Sequence, residues 1–222
     1  MLKNLSYPLD TGALRPPAIP AAGLEEFLSI ANDGASVQKL SVYSHTGTHI
    51  DTSAHVFEHG VHITDFRPCE LVFDKVGIIS MTLPDNYVIE QSDLEKHRDI
   101  RDILDKNEFI LFNFNLYDKR SNDPESYIYK SPGFSLEAGK YIAGYKNIKG
   151  MGTDSPSVAS IYRIGETMKV HNELLGANNK KFIIIEEMKL EKNEKAPQKL
   201  TVAPWLVKGM HSGPCTVIGE YR

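Results

Sequence analysis

Ser44-His45-Thr46-Gly47-Thr48-His49-Ile50-Asp51-Thr52-Ser53-Ala54-His55 places three imidazoles and a carboxylate within the eleven residues from His45 to His55. His45, His49, Asp51 and His55 are all odd-numbered, so an extended segment would turn them to one face. Extension alone cannot gather them. A strand rises about 3.3 Å per residue and would leave His45 and Asp51 roughly 20 Å apart, whereas ligands of one ion lie about 2 Å from it. Gly47 tolerates positive φ and can supply the necessary bend, while Thr46 and Thr48 argue against a helix here. The spacing predicts a strand running into a curled loop, with His45, His49 and Asp51 as metal ligands and His55 free for proton transfer. Imidazole nitrogen with carboxylate oxygen suits zinc, manganese, iron or nickel. Five of the chain's eight histidines fall between His45 and His62, a density that favours a metal site over hydrogen-bonded loop histidines. His59 and His62 are read as surface or supporting residues.

The chain around this stretch has 222 residues, 41% hydrophobic and 24% charged, which suits one globular domain over 1–222. A net charge of −4 without any basic run argues against nucleic acid or an anionic membrane surface as partner. Met1 to Leu5 lacks an apolar signal core and no apolar run approaches a membrane span, so a cytoplasmic location is expected. Cys69 and Cys215 are too few for a disulfide framework and are expected to be buried thiols.

Pro16, Pro17 and Pro20 make residues 8–22 an irregular arm, and Leu24, Phe27 and Leu28 predict a short amphipathic helix ending near Gly34. Val37 to Tyr43 reads as the strand that delivers the histidines. Leu71 to Leu83 predicts one or two buried strands broken at Gly77. Ser92-Asp93-Leu94-Glu95 reads as the capping box of a helix whose apolar face is Leu94, Ile100, Ile103 and Leu104. Phe109 to Leu116 is the next buried strand, and the polar stretch 117–132 suits a loop near a pocket mouth. Ser135 caps a helix through Tyr141, and Ile148 leads as a short strand into a turn from Gly150 to Pro156.

A second cluster pairs His171, on a helix from Met168 to Leu175 ending at Gly176, with Glu186 at the end of the apolar strand Phe182 to Ile185. On pattern alone a functional pair and a satisfied core histidine are equally good readings.

His-Thr-Gly-Thr-His-Ile-Asp followed by His55 resembles the signature of the metal-dependent cyclase or kynurenine formamidase-like hydrolase family. Leu5-Ser6-Tyr7-Pro8-Leu9, Pro132 to Ser135, Gly152 to Ser157, His171 to Leu175, Ile185-Glu186 and Gly209 to Pro214 resemble further blocks in the same order. The resemblance implies an α/β single domain, with mixed sheets in a layered, swivelling β/β/α arrangement. It makes His45, His49 and Asp51 ligands of one divalent ion, with Asp51 bridging to a second held by His171 and Glu186. Zinc is the first expectation and manganese the next, with His55 as general acid or base. The implied reaction is hydrolysis of an amide C–N bond, in an aryl formamide such as N-formylkynurenine of tryptophan breakdown or in a cyclic amide. A homodimer or homotetramer is implied, and the arm around Pro16 to Pro20 is the candidate contact.

The chain departs from the family pattern in several places. Ser53 stands where Pro is usual, implying a looser curl, and Asn178-Asn179-Lys180-Lys181 lengthens the stretch between His171 and Glu186. Glu187 is an adjacent rival ligand. Asn113 to Tyr117 lacks the usual aromatic-containing segment, Thr216 replaces an Arg, and the front arm lacks Pro-Gly-Asp. Two other readings stay open. In a non-haem iron oxygenase, His49-x-Asp51 with a distant His would form the iron triad and His211 with Arg222 a carboxylate-binding tail. The other is a metal-binding protein without turnover.

Overall fold

The computed structural model describes residues 1–12, 15, 18–160 and 164–222. In chain order the strands are β1 (Leu2–Asn4), β2 (Gly23–Leu28), β3 (Val37–Ser41), β4 (His49–Asp51), β5 (Val72–Phe73), β6 (Val76–Ser80), β7 (Val88–Ile89), β8 (Phe109–Asn113), β9 (Gly133–Phe134), β10 (Gly150–Thr153), β11 (Ile183–Glu186), β12 (Lys199–Pro204) and β13 (Ser212–Glu220). The helices are α1 (Ile30–Asp33), α2 (Gln91–Lys96), α3 (Ile100–Lys106), α4 (Tyr117–Asn122), α5 (Pro124–Lys130), α6 (Leu136–Ala143) and α7 (Ile164–Lys180).

The apolar runs Phe109-Ile110-Leu111-Phe112 and Ile183-Ile184-Ile185 form the fully covered strands on either side of β10, as such runs do in parallel sheets. The main sheet runs β5-β12-β13-β4-β11-β10-β8-β6, with β1 beside the far end of β13. Strands β6, β8, β10 and β11 are parallel, while β4 lies antiparallel between β11 and β13. Side chains alternate. Ile110, Phe112 and Ile184 pack into one core with helix residues such as Leu94, Leu104, Ile142, Val170 and Leu174. Phe109, Leu111, Ile183 and Ile185 pack into a second core with Phe73, Leu200, Val202 and Val217 from the antiparallel half. Two β layers and one helical layer result, the mixed α/β arrangement expected. Among the described residues no helix is long and apolar enough to cross a membrane.

Several local expectations are corrected. Residues 23–28 form strand β2, paired with β3 in an exposed ribbon, and only Ile30–Asp33 is helical before the left-handed Gly34. Pairing with β3 overrides the helical spacing of Leu24, Phe27 and Leu28. The histidines are delivered by β4, not β3. The break in the 71–83 region falls at Asp74-Lys75, and Gly77 lies inside β6, where a Cβ would stand 2.6 Å from Ile103 Cγ2. The helix after Ile89 is split into α2 and α3, and its capping box lies at Glu90 and Asp93. Strand β8 stops at Asn113, because Asn115 takes a positive φ of 60°. Residues 117–130 form α4 and α5, with Tyr127 and Ile128 buried, and Gly150–Thr153 is a strand rather than a turn. Cys215 is buried but Cys69 is exposed. In the arm, Pro16 and Pro17 lie outside the described residues.

Asp154, at the end of β10, ties the rim of the parallel strands together. Its carboxyl oxygens accept the N–H groups of Phe114 and Leu116, each at 2.8 Å, while its carbonyl accepts the Tyr127 hydroxyl at 2.9 Å. Burial pushes this carboxyl up to about 7 against the pull of those N–H donors. A pKa raised above the unfolded value favours the folded state at low pH, and the contribution is lost as pH rises through 7. Asp154→Ala leaves two buried N–H groups unsatisfied and is expected to cost about 2–4 kcal/mol in urea unfolding. The deficit should be larger at pH 5 than at pH 8. A cost under about 0.5 kcal/mol, or a gap that widens with pH, contradicts this account.

Candidate metal centre

The turn before β4 brings the first histidine back. Gly47 has φ +65°, so His45 folds over the strand and its Nδ1 comes to 3.3 Å from Asp51 Oδ1. His49 and Asp51, two residues apart on β4, share a face and are buried. The β4–β11 register sets Glu186 opposite His49, with Oε2 3.2 Å from His49 Nε2. His171, on α7, brings its Nε2 to 3.3 Å from Glu186 Oε1 and 3.9 Å from Asp51 Oδ2. His55 ends a short 3-10 turn, its ring centroid 4.6 Å from that of His45 and 5.8 Å from that of His171. The structure thus gathers His45, His49, Asp51, His55, His171 and Glu186 in one place, although the turn precedes the strand rather than following it.

The inner rings are oriented from behind. His49 Nδ1 lies 2.8 Å from the Gly47 carbonyl, and His171 Nδ1 lies 2.9 Å from the Thr167 carbonyl. A carbonyl can only accept, so each Nδ1 carries a proton and each Nε2 turns to the carboxylates. Burial opposes charge on both rings. The hydrogen bond to Glu186 and the charges of Asp51 and Glu186 outweigh it, lifting each to about 9. Burial likewise works against the Glu186 carboxylate, but His171 and His49 hold it well below the usual range. His45 is held down to about 4, chiefly by burial against the attraction of Asp51, and burial also lowers His55. Positive charge is therefore favoured beside Glu186, and neutral imidazole at His45 and His55.

Both carboxylate oxygens of Asp51 are buried without a hydrogen-bond partner. An uncompensated buried carboxylate costs several kcal/mol, so this nest is built for a cation. Ligand atoms of His45, His49 and Asp51 lie within 4.8 Å of one another, as do those of Asp51, His55 and His171. Nitrogen and carboxylate donors of this kind fit a divalent transition ion.

Glu187 does not join the nest. It takes a left-handed φ of 55°, and its Oε1 accepts Arg120 Nε and Nη2 at 2.9 and 2.7 Å. The guanidinium also stacks 3.8 Å from the Tyr7 ring centroid, beside a cleft lined by Leu9, Ile19 and His45. No spacing signal marks Arg120, because its partners come from other parts of the chain. His211, at the start of β13, is a further addition, 5.5 Å from the His55 ring. Its place within the Gly209 to Pro214 block was the available signal. His59 is exposed, and His62 sits near Asp65 at the surface.

The family profile described as "Putative cyclase" matches residues 3–160. No curated protein matches the chain significantly by sequence. Isatin hydrolase A from Labrenzia aggregata, in complex with benzyl benzoate, superposes with a TM-score of 0.82 at 17% identity, over 98% of this chain and 92% of that one. Isatin hydrolase A from Ralstonia solanacearum gives 0.78 at 16% identity, over 100% and 92%. A predicted metal-dependent hydrolase from Bacillus stearothermophilus gives 0.72 at 22% identity, over 99% and 97%.

Arg120→Ala strands the Glu187 carboxylate and frees the turn that aims Glu186. Losses of about 10- to 100-fold in zinc affinity are expected, as for other residues that orient ligands, with partial rescue by Arg120→Lys. Unchanged affinity in a titration of metal-free protein would detach this pair from the metal nest.

Proposed function

The chain belongs to the cyclase family, and from that premise we propose that it is a metal-dependent hydrolase cleaving an amide C–N bond. The observation that carries the reading is the buried, unpartnered Asp51 carboxylate, flanked by rings whose far nitrogens are tied to carbonyls. His45, His49 and Asp51 would hold one divalent ion, and His171 with Glu186 a second, Asp51 lying between them. Zinc is the first choice and manganese the next. Such an ion lowers the pKa of bound water and polarises a carbonyl. The protein's own part is to exclude competing protons and to move one. His55 lies on the more open side of the nest, and its neutral imidazole can accept a proton from the attacking water and return it to the leaving nitrogen. Water thereby adds across the C–N bond, giving a carboxylic acid and a free amine. An aryl formamide of the N-formylkynurenine type and a cyclic amide of the isatin type are the proposed substrates, the latter supported by likeness to isatin hydrolases.

We also propose a homodimer or homotetramer. The β2–β3 ribbon leaves Phe27 72% exposed, with Leu24, Val37 and Leu40 also exposed and Ile30 of the connecting α1 71% exposed, and an isolated two-stranded ribbon is marginal in water. Phe27→Asp is expected to reduce the assembly to monomers in light scattering; a monomeric parent protein refutes the assembly.

Metal-stripped protein reconstituted with zinc or manganese should hydrolyse N-formylkynurenine or isatin, and the stripped protein neither. His55→Ala should keep its metal and lose about 10²–10⁴-fold in kcat, whereas His49→Ala should lose both metal and turnover. Metal-loaded protein that opens no amide, or full activity in His55→Ala, defeats the mechanism.

A further inference from the structure

His45, His55 and His211 line the outer side of the nest, each half-buried, and their ligand atoms lie within 4.8 Å of one another. The His55 and His211 rings stack at 5.5 Å with 24° between planes, and the His45 ring lies 6.5 Å from that of His211. His211 is firmly placed. Its carbonyl accepts both the N–H and the hydroxyl of Thr52, at 3.0 and 2.7 Å, locking the start of β13 against the histidine segment. Its Nδ1 lies 3.0 Å from the Ser212 hydroxyl, which leaves Nε2 for another partner. Three convergent imidazoles with a side open to solvent are the donor set of a zinc-type site with a free coordination position.

We propose that His45, His55 and His211 form an outer divalent-cation site that inhibits the enzyme when metal is in excess. A neutral imidazole has one free lone pair, so His45 serves the inner ion beside Asp51 or the outer one, but not both. His55 bound to an outer ion can no longer carry a proton. Filling the outer site therefore withdraws one inner ligand and the acid–base group together. The inhibitory part rests on the hydrolase reading above, while the site itself does not.

The test compares wild-type holoprotein with His211→Ala and His211→Gln, both first checked for native circular dichroism and thermal unfolding. Equilibrium dialysis against rising zinc, read by metal analysis, should show wild type taking up a further, weaker equivalent that both variants lack. Cobalt titration should show a matching visible absorption step that is lost in both. Hydrolysis by wild type should fall as that equivalent binds, while neither variant is inhibited over the same zinc range. Equal zinc uptake in all three proteins overturns the site, whatever the substrate proves to be. A further equivalent that leaves hydrolysis unaffected overturns the inhibition alone. If no amide is hydrolysed, the dialysis and cobalt measurements still decide the site, so its failure is separable from that of the hydrolase reading.

Discussion

A carboxylate at Asp51, fully buried and given no hydrogen-bond donor, is the constraint that the surrounding structure answers. Such a group is expensive unless positive charge is brought to it. The fold brings that charge from separate elements, His49 from the same strand and His171 from α7, and sets the neutral ring of His45 beside it from the turn held by Gly47. Central placement of β4, antiparallel between β11 and β13, makes this possible, because both neighbours wall the site while their own side chains fill the two cores. Glu186 adds a second carboxylate, yet it also accepts the Val158 N–H at 2.7 Å and so is partly satisfied without an ion. Asp51 has no such relief.

The chemistry was legible in the sequence where ligands sit close together in it. His45, His49, Asp51 and His55 announced themselves through their density and through Gly47, whose φ of +65° is the bend that the spacing required. His171 and Glu186 were legible only as a helix followed by an apolar strand ending in an acid, a pattern shared with ordinary cores. Arg120 was not legible as a site residue, and His211 was legible only as part of the oxygenase reading and of the Gly209 to Pro214 block, since the relevance of both depends on strands and helices far apart in the chain. Among elements, α6 with its Ser135 cap and the apolar strands β8 and β11 follow directly from local pattern. The ribbon β2–β3 does not, because Leu24, Phe27 and Leu28 satisfy a helical spacing that cross-strand pairing then overrides.

Two departures from the family pattern turn out to be one feature. Ser53 replaces a usual Pro, and Asn178 to Lys181 lengthens the link between His171 and Glu186. The Ser53 hydroxyl donates to the Lys180 carbonyl at 2.7 Å and accepts the Val61 N–H at 2.8 Å. A proline could make neither bond. The inserted residues Asn178, Asn179 and Lys180 all take left-handed φ values of 49°, 54° and 62°, a kink that turns the chain sharply at the end of α7 and presents that carbonyl. Gly60 permits the same close approach from the other side, because a Cβ there would stand 2.2 Å from the Ala54 nitrogen. The curl carrying His55 is therefore held by side-chain bonding to the insert, and is not looser for lacking proline.

Glu186 and Glu187 are chemically identical neighbours, so what selects the inward one must be backbone direction. A strand places successive side chains on opposite faces, and the register with His49 already turns Glu186 inward. The chain must then leave the strand at once, and Glu187 does so in a left-handed conformation that costs a non-glycine residue on the order of 1 kcal/mol. That cost is met by three attachments at one residue. Its N–H donates to the Ser155 carbonyl, its carbonyl accepts the Thr48 hydroxyl, and its carboxylate is gripped by Arg120. Thr48 precedes His49 and its hydroxyl also accepts the Tyr7 N–H, while the Tyr7 ring supports the guanidinium. The outward glutamate thus ties together the backbones next to two inward residues, His49 and Glu186, and does more for the nest by facing away from it than a third carboxylate would inside, where like charges would compete for the same cation.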